Sequence, residues 1–542
     1  MRRALALCVC VASLRVNAAD APARQLVKEA VDALDSWDIE GADEIGKRLE
    51  QDFPGEGTAR YVRGRVLFEQ GDYARAAELL DSVSAEEDAR LAREAKKATE
   101  KDHAFESEHF VLRAAGKDEL LAPYALDTLE KQYAALQEDL RYSPPPGKIR
   151  VEIYPSPKVL AQVSSLTEGE IKASGTIALC KYNRLMVTSP RALVRGYDWL
   201  DTMAHELTHF VISKKSRNAV PIWIQEGLAK HLETRWRGGG GLSMGPAMEQ
   251  LLAEGVQDDK LVPFEKMHPS IAKLPTQEMA ALAFAEVETA MEYLRKQGGP
   301  GALERLVVAL RDGKSDQAAV AESAHQSWDA FMKGWRGFIA HRPAVSGLSY
   351  ESANINLKFA EEKTARSKGD APYPEYGDVK DATARRYAHL GELMLERSRY
   401  VAAAVEYGRA HERVGDRSTT LSRRYGFTLL KLGKDADAER VLAGSVTLYP
   451  GEAPAHVLLA QLYQTRKAWD SCAEHAEDAN RVDPFDPEVH ALWAACAASA
   501  GGAANDAIVK RERAATATLM SSDHPSAIQL IKGGAGTSKE TQ

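Results

Sequence analysis

The sequence predicts an α+β fold in the middle of the chain, with a small sheet and several helices, flanked by all-α helical repeats. Two observations support this class. Apolar and polar residues alternate in short segments between residues 105 and 188, as they do in half-buried strands. Small residues recur at helical intervals on both sides of that region, which is typical of stacked helical hairpins. At 542 residues the chain is long enough for roughly two to four domains.

The charge balance argues against two classes of partner. The chain has 70 Lys+Arg against 78 Asp+Glu, a formal net charge of −8, and no long basic run. We therefore expect neither nucleic acid nor an anionic membrane as a partner. Beyond the N-terminal segment, no stretch is long and apolar enough to predict a transmembrane segment.

The N-terminal segment 1–19 has the layout of a secretory signal peptide. Two arginines precede an apolar run at 4–14, and small residues follow at Ala18 and Ala19. This pattern predicts that the protein is exported, and therefore periplasmic or secreted. The alternative is a frayed cytoplasmic N-terminus.

Residues 20–104 are predicted to be helical. The stretch RYVRGRVLFEQGDYARAAELLD carries Gly64, Gly71, Tyr73 and Ala76, and this spacing resembles a tetratricopeptide repeat. Small residues at these positions let the two helices of a hairpin approach closely.

The strand-like pattern begins after Phe105. Segments 109–113 and 148–154 alternate, while residues 126–140 between them repeat at helical spacing. Segments 175–180 and 184–188 flank the tripeptide KYN and predict a hairpin. We therefore expect a small sheet before residue 199, followed by helices to about residue 342.

The C-terminal third of the chain carries the stronger repeat signal, predicted to span residues 385–520. The residues that keep a period of 34 or 35 are Gly391, Gly426, Ala460 and Ala494, then Ala403, Ala438 and Cys472, and finally Pro450 and Pro484. This register is that of tetratricopeptide repeats, which stack into a curved solenoid. Residues 346–384 before it are predicted to be a linker, and residues 521–542 after it a disordered tail.

Removal of a signal peptide leaves three cysteines, Cys180, Cys472 and Cys496, too few for a disulfide framework. Cys472 occupies a small-residue position of the repeat. We therefore favour a packed thiol there over a disulfide with Cys496, although exported proteins can oxidise.

The segment MAHELTHFVI carries the chemistry of the central region. Its apolar residues lie at helical spacing, which predicts a buried helix over 199–213. His205 and His209 are one turn apart on that helix and project from one side, so both can bind one Zn²⁺. Glu206 lies beside them, in the H-E-x-x-H arrangement of zinc metallopeptidases.

A catalytic zinc also needs a third protein ligand. The segment VPIWIQEGLAKHLETRW predicts a second helix beginning at Pro221, and its Glu226 follows His209 at an interval that leaves room for a turn and a return. The metzincin alternative requires glycine at 212 and histidine at 215, where this chain has Ile212 and Lys215. The pattern therefore indicates a gluzincin-like site with one Zn²⁺ per chain.

Together, TMAHELTHFVI and VPIWIQEGLAKHLE resemble the peptidase MA-like group of zinc metallopeptidases. The segments FESEHFVLRA, VEIYPS, LERLVVALRDG and SWDAFMKGWRGFI also resemble that domain, which we place at residues 105–345. The resemblance implies a zincin-like fold, His205, His209 and Glu226 as metal ligands, and Glu206 as the catalytic base. Members of the group are often exported and often fused to tetratricopeptide repeats.

One position departs from the group. Relatives often carry a tyrosine near the start of the helix that we predict at 281–296, and this chain has Phe284 there. A tyrosine donor to the oxyanion from this helix is therefore in doubt. Tyr182, His231 and Tyr293 remain candidates for that donor.

Two functions follow from these patterns. The first is an exported zinc metallopeptidase that hydrolyses a peptide or protein substrate, with Glu206 as general base and with repeats that recruit the substrate or a protein partner in their groove. The alternative is a non-catalytic repeat scaffold in which the zincin-like domain only binds. The intact Glu206 favours the enzyme.

Overall fold

The computed structural model of the chain is mostly helical and contains a five-stranded mixed sheet. The residues that it describes are 21–144, 147–238, 244–344, 348 and 376–520. The predicted signal peptide and tail lie outside these ranges, as does most of the predicted linker. Within the described part of the chain, no helix combines the length and the apolar character needed to cross a membrane.

The chain divides into two compact units. Unit 1 consists of Met1–Ser189, Leu200–Leu242 and Lys260–His341, and unit 2 consists of Pro190–Trp199, Ser243–Asp259 and Arg342–Gln542. Unit 1 therefore contains the N-terminal helices, the sheet and the predicted metal motif. Unit 2 contains the C-terminal repeats.

Unit 1 begins with helices that pack against their neighbours in chain order. They are α1 (Ala21–Asp35), α2 (Ile39–Asp52), α3 (Gly57–Gln70), α4 (Tyr73–Ser82) and α5 (Glu86–Thr99). Asp72 starts α4 because its side chain accepts a hydrogen bond from the Arg75 N–H, as N-cap residues do. The helical part ends before residue 104, because His103–Glu106 forms the first strand.

The sheet has the order β1-β2-β3-β5-β4. Its strands are β1 (His103–Glu106), β2 (Phe110–Ala114), β3 (Ile149–Tyr154), β4 (Ala178–Lys181) and β5 (Arg184–Thr188). The three central strands are parallel, with Leu112 opposite Val151 and Val151 opposite Leu185. β1 and β4 are antiparallel edge strands. Four of the five strands lie where the alternating pattern predicted them.

The remaining helices of the central region lie between residues 122 and 340 of the chain. They are α6 (Ala122–Leu140), α7 (Pro157–Gln162), α8 (Glu168–Ser174), α9 (Trp199–Ser216), α10 (Ile222–Leu232), α11 (Pro246–Gln257, in unit 2), α12 (Gln277–Gly298), α13 (Ala302–Arg311), α14 (Asp316–Ser323) and α15 (Trp328–Ala340). The second predicted helix starts one residue later than expected, since Pro221 is the N-cap of α10 and has extended backbone angles.

A buried polar network joins the N-terminal helices to the sheet. The Arg184 guanidinium on β5 lies 3.2 Å from a carboxylate oxygen of Glu152 on β3, and both side chains are almost fully buried. The hydroxyl of Tyr73 on α4 donates to Glu152 and accepts from Arg184. Tyr154 donates to the other carboxylate oxygen. Because a buried ion pair needs its remaining hydrogen bonds satisfied, this network fixes α4 against the sheet.

Unit 2 is built from helices that pair in chain order. After α11, they are α16 (Ala382–Glu396), α17 (Tyr400–Val414), α18 (Thr419–Lys431), α19 (Asp435–Leu448), α20 (Ala453–Thr465), α21 (Trp469–Val482), α22 (Pro487–Ala500) and α23 (Ala503–Leu519). The small-residue positions face the partner helix: a Cβ on Gly426 would lie 2.6 Å from Leu442 Cδ2. This is a helical-repeat fold, and its repeat register is the predicted one.

Two sequence-based expectations differ from the structure of unit 2. Cys472 and Cys496 form a disulfide that connects α21 to α22, so the favoured packed thiol was wrong. A small-residue position at a helix interface places the Cβ atoms of the two helices close together. The sequence pattern therefore cannot distinguish a packed cysteine thiol from a disulfide. Tyr376 and Val379, inside the predicted linker, are buried in the core of the first repeat.

Candidate metal centre

Helix α9 holds the two predicted histidines. Met203, Ala204 and Leu207 are fully buried, so the helix is anchored by its apolar stripe. His205 and His209 lie one turn apart, with their Nε2 atoms 3.1 Å from each other. Their side chains are only 14% and 12% exposed. The histidine spacing therefore produces the converging pair that the sequence predicted.

Helix α10 brings Glu226 to the same point. Its Oε2 lies 3.4 Å from His205 Nε2 and 3.3 Å from His209 Nε2. The next residue lets α10 pack closely on α12, because a Cβ on Gly227 would lie 2.7 Å from the carbonyl oxygen of Val287. A side chain at position 227 would push the helix, and Glu226 with it, away from this contact.

The spacing of the three atoms fits a first-row divalent ion. Bonds of about 2.0–2.1 Å from a tetrahedral zinc to nitrogen and oxygen imply ligand-to-ligand distances of about 3.3 Å. The distances among His205 Nε2, His209 Nε2 and Glu226 Oε2 are 3.1, 3.3 and 3.4 Å. Two neutral imidazoles and a carboxylate are also a donor set that zinc accepts. The three residues therefore fit the ion that the motif implies.

Glu206 lies beside this group but is not part of it. Glu206 is 7% exposed, and the backbone N–H of Cys180 on edge strand β4 donates a hydrogen bond to its carboxylate. Burial raises the pKa of Glu206, although attraction to His209 and His205 opposes the shift. The site therefore contains a carboxylate separate from the candidate ligands and adjacent to a sheet edge.

Glu233 is a further residue of the site that the sequence did not indicate. Its Oε2 accepts a hydrogen bond from His205 Nδ1 at 3.1 Å, and Lys230 pairs with its other oxygen. Burial would lower the pKa of His205, but its bonds to Glu226 and Glu233 raise it to about 10. A carboxylate on the outer nitrogen of a ligating histidine is the usual second partner in metal sites. The interval from Glu226 to Glu233, two turns of helix, was the available signal.

The three candidate oxyanion donors have neighbours outside the candidate metal group. Tyr182 packs on Phe68, and Tyr293 packs on Phe331. His231 is buried, and burial lowers its pKa to about 4. Phe284 packs its ring edge-on to His205, with ring centroids 6.4 Å apart. Phe284 is therefore at the site, but its phenyl ring has no hydroxyl to donate.

A further buried acid, outside the candidate metal group, is Glu286. Glu286 on α12 accepts a hydrogen bond from the Val262 N–H at 2.8 Å and is 1% exposed. Burial raises the pKa of Glu286 to about 8, against the opposing effects of that bond and of Arg336. This carboxyl group therefore binds its proton more tightly in the folded chain than in the unfolded chain.

Comparisons with known proteins do not identify the chain. No protein-family model matches it, and no curated protein matches it. Among solved structures, 33 chains match. One of them, described as the crystal structure of APC/C hetero-tetramer Cut9-Hcn1, shares 13% sequence identity, with 95% of this chain and 96% of that chain covered. Its TM-score is 0.26, which is too low to carry an argument about fold or function.

Proposed function

We propose that the chain is an exported zinc-dependent metallopeptidase. His205, His209 and Glu226 hold the ion, and Glu206 is the general base. The observation that carries the proposal is the convergence of two imidazole nitrogens and one carboxylate oxygen at 3.1–3.4 Å from one another, next to the separate carboxylate of Glu206. The resemblance to peptidase MA-like enzymes supports the same assignment.

Zinc bound here would supply a Lewis acid for the peptide carbonyl and lower the pKa of a water molecule to about 7. The Glu206 carboxylate takes the proton of the attacking water and then passes it to the leaving amine nitrogen. Glu233 fixes the ring of His205 through Nδ1, so that Nε2 stays directed at the site. Edge strand β4 offers its backbone to an extended peptide, as exposed sheet edges do.

The second candidate is a repeat scaffold without catalytic activity. The observation that favours it is the helical-repeat fold of unit 2, since stacked repeats present extended surfaces to protein partners. In the enzyme proposal the same surface recruits the substrate or a partner. The two candidates therefore differ in the role of unit 1 and not in the role of the repeats.

Two matched substitutions separate the ligand role from the base role. Glu206→Gln keeps the side-chain shape, so zinc content should remain at the wild-type value while peptide hydrolysis falls by roughly 10²–10⁴. Glu226→Gln replaces a charged ligand by a weak neutral one, so it should lose one zinc equivalent together with activity. Glu108→Gln, at an 83% exposed carboxylate, is the control and should change neither quantity.

The measurements are zinc per chain by mass spectrometry and hydrolysis of a broad peptide library. Full zinc in Glu226→Gln together with loss of zinc in Glu206→Gln would reverse the two roles and contradict the gluzincin-like site. A wild-type chain that retains zinc at His205 and His209 yet cleaves no peptide would support the scaffold instead.

A further inference from the structure

A second group of metal-ligating side chains lies in the repeats of unit 2. His456 is on α20, and His475 and Asp478 are on α21, the other helix of the same hairpin. The two Nδ1 atoms are 3.0 Å apart. Oδ2 of Asp478 is 3.4 Å from His456 Nδ1 and 4.0 Å from His475 Nδ1. These distances bracket the value of about 3.3 Å expected between ligands of a tetrahedral zinc.

The tautomer of His456 is set by its outer nitrogen. Nε2 lies 3.0 Å from the carbonyl oxygen of Pro450, and a carbonyl only accepts, so Nε2 carries the proton. Nδ1 of the neutral ring is then a bare acceptor. It faces Asp478 Oδ2, which is also an acceptor, and a single Nδ1 proton on His475 cannot serve both. A cation among the three atoms would satisfy them together.

The next repeat provides an internal comparison. His490 occupies there the position that His456 has in this repeat, and its Nε2 donates in the same way to the carbonyl of Pro484, at 2.9 Å. Its Nδ1 bonds to Glu512 at 2.6 Å, and Glu512 occupies the position of Asp478. The position of His475, however, is Val509 in that repeat. Both ring nitrogens of His490 therefore have a partner, and one carboxylate serves Nδ1. The His456 group differs because it contains a second imidazole, that of His475.

The neighbours of the group hold two of its members in place. Arg481 pairs with Oδ1 of Asp478, which leaves Oδ2 directed at the two histidines. The ring of Tyr463 stacks on His475, with centroids 5.5 Å apart and planes within 7°. His456 is 4% exposed, whereas the side chains of His475 and Asp478 are each 19% exposed. A water molecule can therefore reach the group from one side.

We propose that His456 Nδ1, His475 Nδ1 and Asp478 Oδ2 form a second zinc site, which clamps α20 to α21. Nitrogen and carboxylate donors suit zinc among the common divalent ions, and water completes its coordination. This proposal shares no residue with the candidate metal centre of unit 1 and does not depend on the proposed peptidase function.

The test is zinc binding to the full chain with His475→Val. The substitution removes one ligand and installs the residue that the neighbouring repeats carry at Val441 and Val509, so the hairpin should fold. We expect the His475→Val chain to bind one zinc equivalent fewer than wild type. Zinc should also no longer raise the Tm of unit 2 in this variant. Asp478→Asn should lose the same equivalent, while His103→Ala, at a 73% exposed imidazole, should lose none.

His209→Ala distinguishes the two sites. If both proposals hold, wild type binds two equivalents, His475→Val and His209→Ala one each, and their combination none. Unchanged zinc content in His475→Val and Asp478→Asn, with normal circular dichroism, would overturn the second site whatever His209→Ala shows. One equivalent in wild type that only His475→Val removes would support the second site and count against the first.

Discussion

The disulfide between Cys472 and Cys496 makes a quantitative prediction about unit 2. The two residues are 24 positions apart, with Cα atoms at 5.8 Å. In the chain-entropy model, closing a loop of that length removes about 12 cal/mol/K from the unfolded ensemble, which is about 3.5 kcal/mol at 25 °C. Reduction should therefore lower the free energy of unfolding of the repeats by up to this amount.

The assay is urea unfolding of the full chain with and without a phosphine reductant, followed by circular dichroism, together with peptide mapping of the unreduced protein. Cys180→Ala should respond to the reductant as wild type does, because Cys180 is a free thiol. The double variant Cys472→Ala/Cys496→Ala should not respond. Unlinked Cys472 and Cys496 peptides, with an unfolding midpoint that the reductant does not change, would refute the reasoning.

Three further predictions concern unit 1. Gly227→Ala should destabilise the unit by about 1–3 kcal/mol in chemical denaturation and weaken zinc binding, since its Cβ would collide with the Val287 carbonyl; wild-type affinity in this variant would exclude the role assigned to the contact. Glu233→Gln should weaken zinc binding roughly 10–100-fold by equilibrium dialysis while the fold is kept, because it weakens the partner of His205; an unchanged affinity would contradict the positioning role. For Glu286, the raised folded pKa of about 8 means that stability is full below about pH 4.5 and falls by up to about 1.4 kcal/mol per pH unit as pH rises towards 8. Glu286→Gln should flatten that dependence in Tm measurements, and identical pH profiles would show the assignment to be wrong.

The parts of the fold that the sequence predicted are those set by local periodicity. Alternation located β2 and β3, the hairpin pattern located β4 and β5, and the apolar stripe located α9. The histidine pair follows from helix geometry alone, because residues four apart project from one side. Glu226 was predictable because the second helix was expected to start at Pro221 and to return towards His205 and His209 after one turn. Few carboxylates of that helix could then reach the two histidines.

The parts that were missed depend on how elements meet. β1 has an exposed burial pattern, so its residues show no alternation, and only its pairing with β2 makes it a strand. Glu233 acts through its bond to His205 on α9, and its spacing of two helical turns from Glu226 was the one local signal for it. The Cys472 pairing and the His456 group both require the distance between two helices of the repeat, although the repeat register could have aligned His456 with His490.

The two candidate metal groups offer similar donors but different chemistry. Each consists of two imidazole nitrogens and one carboxylate oxygen. Beside the first group lies Glu206, a carboxylate that can accept a proton, next to the edge strand β4. Beside the second lie Arg481, which is already paired with Asp478, and the carboxylate of Glu474, whose charge acts on His475. Glu206 is buried whereas Glu474 is exposed to solvent, so our peptidase proposal concerns the first group. Removal of zinc from the second group should therefore lower the stability of the repeats and leave the rate of peptide cleavage per folded molecule unchanged.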